Sequence, residues 1–175
     1  MSRAFVNEDS VPSAGDELLD LPQSSHPNYV TPRGLRLLRE RLESLRAERD
    51  CVAGTDGDAA ERDLDRQTPL AHLDREIRYF EQRLDRAILI DPETHEAGTV
   101  AFGASVEVED DEGERRRYVI VGEDEADAHN GVISYVSPLA KALLGAQIGD
   151  VVTWQRPAGP VDLEIVSVDY RSDEG

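Results

Sequence analysis

From Leu35 onward, leucines recur at positions 35, 38, 42 and 45 in alternating steps of three and four, and Val52 continues the register past Arg49. That spacing is the a/d seam of a coiled coil. Thr31-Pro32 opens it, with a hydroxyl at the N-cap and a proline at the first helical position, where the missing N–H is harmless. Gly54 and Gly57 interrupt the run. A second seam starts at Pro69 and carries Leu70, Leu73, Ile77, Phe80, Leu84 and Ala87. Two heptad segments joined so closely fold back on one another, so the pattern predicts an antiparallel α-helical coiled-coil hairpin over residues 31–91. At ~1.5 Å per residue, a first helix from Pro32 to Ala53 is about 30 Å long, and the arm projects.

The period changes after Asp91-Pro92. Val100, Phe102, Val106 and Val108 follow a two-residue alternation interrupted near Gly103. Tyr118, Ile120 and Val121 start a second strand, and Val132, Ile133, Tyr135 and Val136 a third. Ser137-Pro138 caps a short helix from Leu139 to Leu144, closed by Gly145. Val151, Val152 and Trp154, then Val161, Leu163, Ile165, Val166 and Val168, complete about five strands over residues 96–172. Phe102, Tyr118, Tyr135, Trp154 and Tyr170 read as core residues of these strands. The fold class expected is α+β. Residues 1–30 hold Pro12, Pro22 and Pro27 among Ser, Asp and Glu, with only a Leu18-Leu19-Leu21 cluster. A disordered tail is expected there, because so little apolar surface does not offset chain ordering.

Charge sharpens this picture. The 175 residues carry a formal net charge of −18. Residues 1–30 hold one basic and five acidic side chains, residues 31–91 twelve and fourteen, and residues 92–175 six and eighteen. Such a surface repels free DNA and anionic membranes, whose affinity comes largely from phosphate neutralisation, so neither independent DNA binding nor a membrane partner is expected. Cys51 is the only cysteine, which excludes an intramolecular disulfide and a cysteine-based zinc site. No apolar run approaches a bilayer-spanning length, and a cytoplasmic protein is expected. The two seams satisfy each other within one chain, so a monomer is expected.

Between the seams lies an acidic stretch with Asp56, Asp58, Glu61, Asp63 and Asp65 at the far end of the arm. Carboxylates are hard oxygen ligands suited to magnesium. A solvated acidic loop is the plainer reading. On the first helix Arg33, Arg36, Arg39, Arg41, Arg46 and Arg49 alternate with Glu40, Glu43 and Glu48, either as a basic flank or as i,i+4 pairs that steady a helix. His26, His72, His95 and His129 show no ligand spacing, and Cys51 has no activating basic cluster.

Several ordered blocks resemble the Gre-type (GreA/GreB) bacterial transcription elongation factors. Thr31-Pro32-Arg33-Gly34-Leu35 and Ala87-Ile88-Leu89-Ile90-Asp91 bound an arm similar to theirs. Val100-Ala101-Phe102-Gly103-Ala104 resembles the "FGA" opening of their C-terminal domain, and Ile120 to Asp127 their "VG-(D/E)-DEAD" segment. Ser137-Pro138-Leu139-Ala140-Lys141-Ala142-Leu143-Leu144-Gly145, followed by Ile148-Gly149-Asp150-Val151-Val152, resembles a further block. The resemblance spans about residues 30 to 170. It implies an FKBP-like, antiparallel β-sheet C-terminal domain with one short helix. That domain docks at the rim of the RNA polymerase secondary channel, with Glu123, Asp124, Glu125, Asp127, Ser137, Pro138 and Lys141 as candidate docking residues. The arm would enter the channel, and Asp58, Glu61, Asp56 and Asp63 would be candidates to share the magnesium of the polymerase active centre. The factor would have no catalytic group, cofactor or intrinsic metal of its own, and would stimulate cleavage of backtracked RNA, contacting the extruded strand only inside the complex.

This sequence departs from that pattern at the tip. Asp58-Ala59-Ala60-Glu61 keeps the Asp-x-x-Glu spacing, but Arg62 stands where an asparagine is expected, and the leucine and tyrosine of the usual string are absent. The arm is also short, as in relatives described as regulators of nucleoside diphosphate kinase. Two alternatives therefore stand beside cleavage stimulation: a non-cleaving competitor for the channel, and a coiled-coil interaction protein unrelated to transcription. A stand-alone prolyl isomerase would need an aromatic-lined cleft that the sequence does not advertise.

Overall fold

The computed structural model describes residues 20–54 and 61–170, with the side chains of 61–67 outside that description. Helix α1 spans Pro32–Ala53 and helix α2 spans Glu61–Asp85. Thr31 caps α1 by accepting from the Gly34 amide at 2.9 Å, and the Gly54 amide closes it on the Asp50 carbonyl. The two helices pack side by side as an antiparallel pair. Leu42, Leu45, Leu73 and Ile77 are buried between them, with Val52, Phe80 and Leu84 packed alongside. These are the seam positions that the spacing picks out.

One boundary differs from expectation. α2 does not start at Pro69 but eight residues earlier, and Pro69 lies inside it. Proline removes one intrahelical hydrogen bond. Glu61, Arg62, Leu64, Arg66 and Gln67 are all good helix formers, and they extend the helix on the far side. Glu61, Asp63 and Asp65 thus belong to a helix rather than to the connection.

At the base of the pair, strand β1 (Asn28–Val30) runs parallel to strand β2 (Ala87–Leu89), in the register Asn28↔Ala87 to Val30↔Leu89. The expectation of an unstructured stretch through residue 30 is corrected here, because its last residues form a strand. Residues 1–19 lie outside the described part.

The C-terminal part is a five-stranded sheet of β3 (Ser105–Asp110), β4 (Arg115–Val121), β5 (Val132–Ser134), β6 (Val151–Trp154) and β7 (Val161–Asp169), in the order β5-β4-β3-β7-β6. Helix α3 (Pro138–Leu143) buries Leu139, Ala140 and Leu143 against it. Val106, Val108, Ile120 and Ile165 complete the centre of the core. The expected all-antiparallel sheet is corrected at one edge, where β4 and β5 pair in parallel. A parallel neighbour needs a crossover rather than a hairpin. Residues 122–131 provide it in two 3-10 turns, Glu123–Glu125 and Ala128–Asn130. Among the described residues, no helix is long and apolar enough to cross a membrane.

Candidate functional site at the base of the arm

The crossover carries the acidic segment singled out by sequence onto the root of the helical arm. Glu125 points at the start of α1. The Thr31 hydroxyl donates to Glu125 Oε2 at 2.6 Å while accepting from the Gly34 amide, and Arg33 Nη1 stands 3.7 Å from Glu125 Oε1. A carboxylate there faces the positive end of the helix dipole. The Glu125 side chain is only 4% exposed. Gly34 makes this approach feasible, since a Cβ at that position would sit 2.6 Å from Glu125 Oε2. Glycine in a first helical turn is otherwise an expensive choice.

Arg83 is the hub of the second half of the junction. Its residue surface is 2% exposed, on a side chain whose charge needs partners when buried. Arg83 Nε donates to Asp124 Oδ2 at 2.7 Å, and Nη2 lies 2.6 Å from the same oxygen and 3.8 Å from Glu123 Oε2. Nη2 also donates to Asn28 Oδ1 at 2.6 Å, and Asn28 Nδ2 returns a bond to the Arg83 carbonyl at 2.7 Å. One arginine thus joins α2, β1 and the crossover. Gly122 completes the fit: a Cβ there would collide with the Tyr29 carbonyl.

An aromatic cluster lies next to these charges. Tyr29, Phe102 and Tyr135 meet edge to face with centroids 5.3–5.9 Å apart, and the Tyr135 hydroxyl donates to the Pro27 carbonyl at 2.6 Å. Burial pushes the Tyr135 hydroxyl pKa up, and Glu123 adds to the shift. Tyr79 is raised first by burial and then by Asp124. The expected placement in the sheet core is corrected for Phe102, which lies in a turn, while Tyr135, also in a turn, packs against that core and meets Tyr29 before the arm. Tyr170, just past β7, donates to the Thr99 carbonyl and accepts from the Ala101 amide.

The remaining sequence-derived candidates are separated. Asp127 caps the second 3-10 turn, accepting from the His129 amide, and its side chain also accepts from Asn130 Nδ2. Ser137 caps α3 by accepting from the Ala140 amide, Pro138 is exposed at its first position, and Lys141 is exposed on its outer side. Asp56 and Asp58 lie outside the described residues, as do the side chains of Glu61 and Asp63. Among the described residues, no group of three His, Cys, Asp or Glu is placed to hold a metal. Sequence reasoning missed Arg83 and Asn28 altogether. The signal for Gly34 was present, as a helix-weakening residue two places after the proline of an N-cap.

The family model for "Transcription elongation factor, GreA/GreB, C-term" matches residues 94–170. Transcription elongation factor GreB of Neisseria meningitidis serogroup B is 38% identical over 153 residues, covering 82% of this chain and 94% of the relative. Transcription elongation factor GreA of Alkalilimnicola ehrlichii is 40% identical over 152 residues, covering 81% of this chain and 96% of the relative. Among solved structures, the GreA factor homolog 1 (Gfh1) protein of Thermus thermophilus is 26% identical, covers 82% of this chain and 99% of its own, and superposes with a TM-score of 0.37.

Proposed function

This chain belongs to the GreA/GreB family of transcription elongation factors, and from that premise we propose that it binds RNA polymerase at the secondary channel. In this reading the C-terminal domain, FKBP-like as the resemblance implies, docks at the rim. The coiled-coil arm enters the channel and occupies it without robust transcript cleavage. The observation that carries the reading is the junction at Arg83. A domain docked through its exposed surface aims an arm only if the two are locked together, and one buried arginine with two acidic partners is such a lock.

In this reading the docking candidates fall to two jobs. Glu123, Asp124 and Glu125 hold the arm, which leaves Asp127, Pro138 and Lys141 as the exposed candidates for the polymerase rim. The 22 residues of α1 make an arm shaft of roughly 33 Å at 1.5 Å per residue. Asp58 and Glu61 have the hard oxygen chemistry that suits magnesium, and they are the residues that would face the polymerase metal. In sequence, Arg62 follows that pair directly with a cation, and a short stiff arm withdraws the pair by about 5.4 Å for each missing turn. Both features favour occupancy over catalysis. The chain supplies no catalytic group, and the chemistry stays with the polymerase.

The test is a backtracked elongation complex challenged with this chain, alone and against a cleavage-active Gre factor. Competition without cleavage is expected, and Asp58→Ala with Glu61→Ala should compete equally well. No binding at micromolar concentration sinks the reading. The retained Asp-x-x-Glu spacing supports the second reading, cleavage stimulation. Strong cleavage by the wild type that disappears in the double variant would establish it.

A further inference from the structure

The segment before β1 climbs the arm rather than leaving it, and its grip loosens on the way. At the base, the Asn28 amide is held from both sides. Its Nδ2 donates to the Arg83 carbonyl at 2.7 Å, and its Oδ1 accepts from Arg83 Nη2 at 2.6 Å, both bonds buried. One turn up α2, Gln23 Nε2 donates to the Tyr79 carbonyl at a longer 3.3 Å. Leu21, Gln23 and Ser24 are half-buried there. At the outer end Arg78 Nε donates to Asp20 Oδ1 at 2.9 Å, with both side chains about half exposed. From Arg83 to Arg78 the contact point moves about 7.5 Å toward the far end of the arm, at 1.5 Å per residue.

These contacts differ in strength for physical reasons. The Asn28 pair is shielded from water, and breaking it strands buried polar groups. The Asp20–Arg78 pair works in high dielectric, where an ion pair is weak and screened by salt. In the middle, Gln23 Oε1 is buried without a hydrogen-bond partner, which offsets part of what its Nε2 contributes. The segment is therefore fixed at one end and marginally held at the other. Elements held this way open locally while the rest of the fold stays intact.

We propose that residues 20–27 form a displaceable brace, hinged at Asn28, that stiffens the lower half of α2 when Asp20 holds Arg78. Loss of that one ion pair releases the brace from its outer end. The blocks shared with the Gre family begin at Thr31, so the brace precedes the shared part. On the reading that the arm enters the polymerase channel, a seated brace carries the locked length of the arm from Arg83 out to Arg78. Salt, or an anionic group that competes for Arg78, shortens that length again.

Hydrogen–deuterium exchange on the full-length protein, read by mass spectrometry, tests this without polymerase. Its outcome is thereby separate from that of the channel reading. In Asp20→Lys, a cation faces Arg78, and the amides of residues 78–83 should exchange roughly threefold to fivefold faster than in the wild type at low salt, the scale of a surface ion pair. Amides of the sheet core around Val106 should not change. At about 1 M salt, where charges are screened beyond about 3 Å, the wild type should exchange as fast as the variant. Equal exchange at low salt would show that the segment lies on α2 without bracing it, and would overturn the proposal. A difference that persists undiminished at high salt would overturn it too, because Asp20 would then act through packing and not through its charge.

Discussion

Arginine–carboxylate pairs occur along the whole arm, yet those at its base and those on its shaft do different work. Arg83 at the base has a side chain 3% exposed and faces Asp124 at 17%. On the shaft, Arg41–Glu76, Arg46–Glu81 and Arg49–Asp74 pair across the two helices with every side chain at least 40% exposed. A surface pair works in high dielectric, is screened by salt, and is worth little. A buried one adds little net stability relative to an apolar substitute, but losing one partner strands the other. The shaft is therefore held by its leucine seam, with charges that solvate it. The base is held by charges that accept only one geometry.

Three substitutions test that contrast. Arg83→Met should have the largest effect, about 3–5 kcal/mol in chemical denaturation, because it leaves Asp124 and Glu123 without their buried cation. A loss under about 1 kcal/mol would place Arg83 with the shaft pairs. Thr31→Val removes both the cap to Gly34 and the donor to Glu125. A loss of about 1–2 kcal/mol is expected, at the upper end for a helix cap, and thermal melting of the variant measures it. Arg46→Ala should change stability by less than about 1 kcal/mol, and what change there is should fade as salt rises. A salt-insensitive loss would show that Arg46 acts through packing of its stem instead.

Much of the architecture was legible because it is written in local periodicity. The 3-4 spacing of Leu38, Leu42 and Leu45 and of Leu73 and Ile77 marks the buried seam, and Val106, Val108, Ile120, Leu163 and Ile165 mark the strands of the sheet core. The candidate site was half legible. Glu123, Asp124 and Glu125 stood out as an acidic run, but a run of acids reads as a solvated turn until a buried cation is seen opposite it. By pattern, Glu61, Asp63 and Asp65 read as part of an acidic connection, but their backbone belongs to α2.

By itself, the sequence determined an α+β class, the seam of the arm and the resemblance that led to the Gre family. All of these depend on residues a few positions apart, whose side chains share a face whatever the rest of the chain does. Tertiary structure alone decided that Asn28–Val30 would be a strand, that β5 would run parallel to β4, and that the acidic crossover would clamp the arm. The bonds responsible join residues 94 positions apart for Thr31 and Glu125, 55 for Asn28 and Arg83, and 41 for Arg83 and Asp124. No periodicity encodes a meeting at that separation. A charged side chain has a preferred environment only once its partner has been brought to it, because burial without that partner is what the free energy forbids.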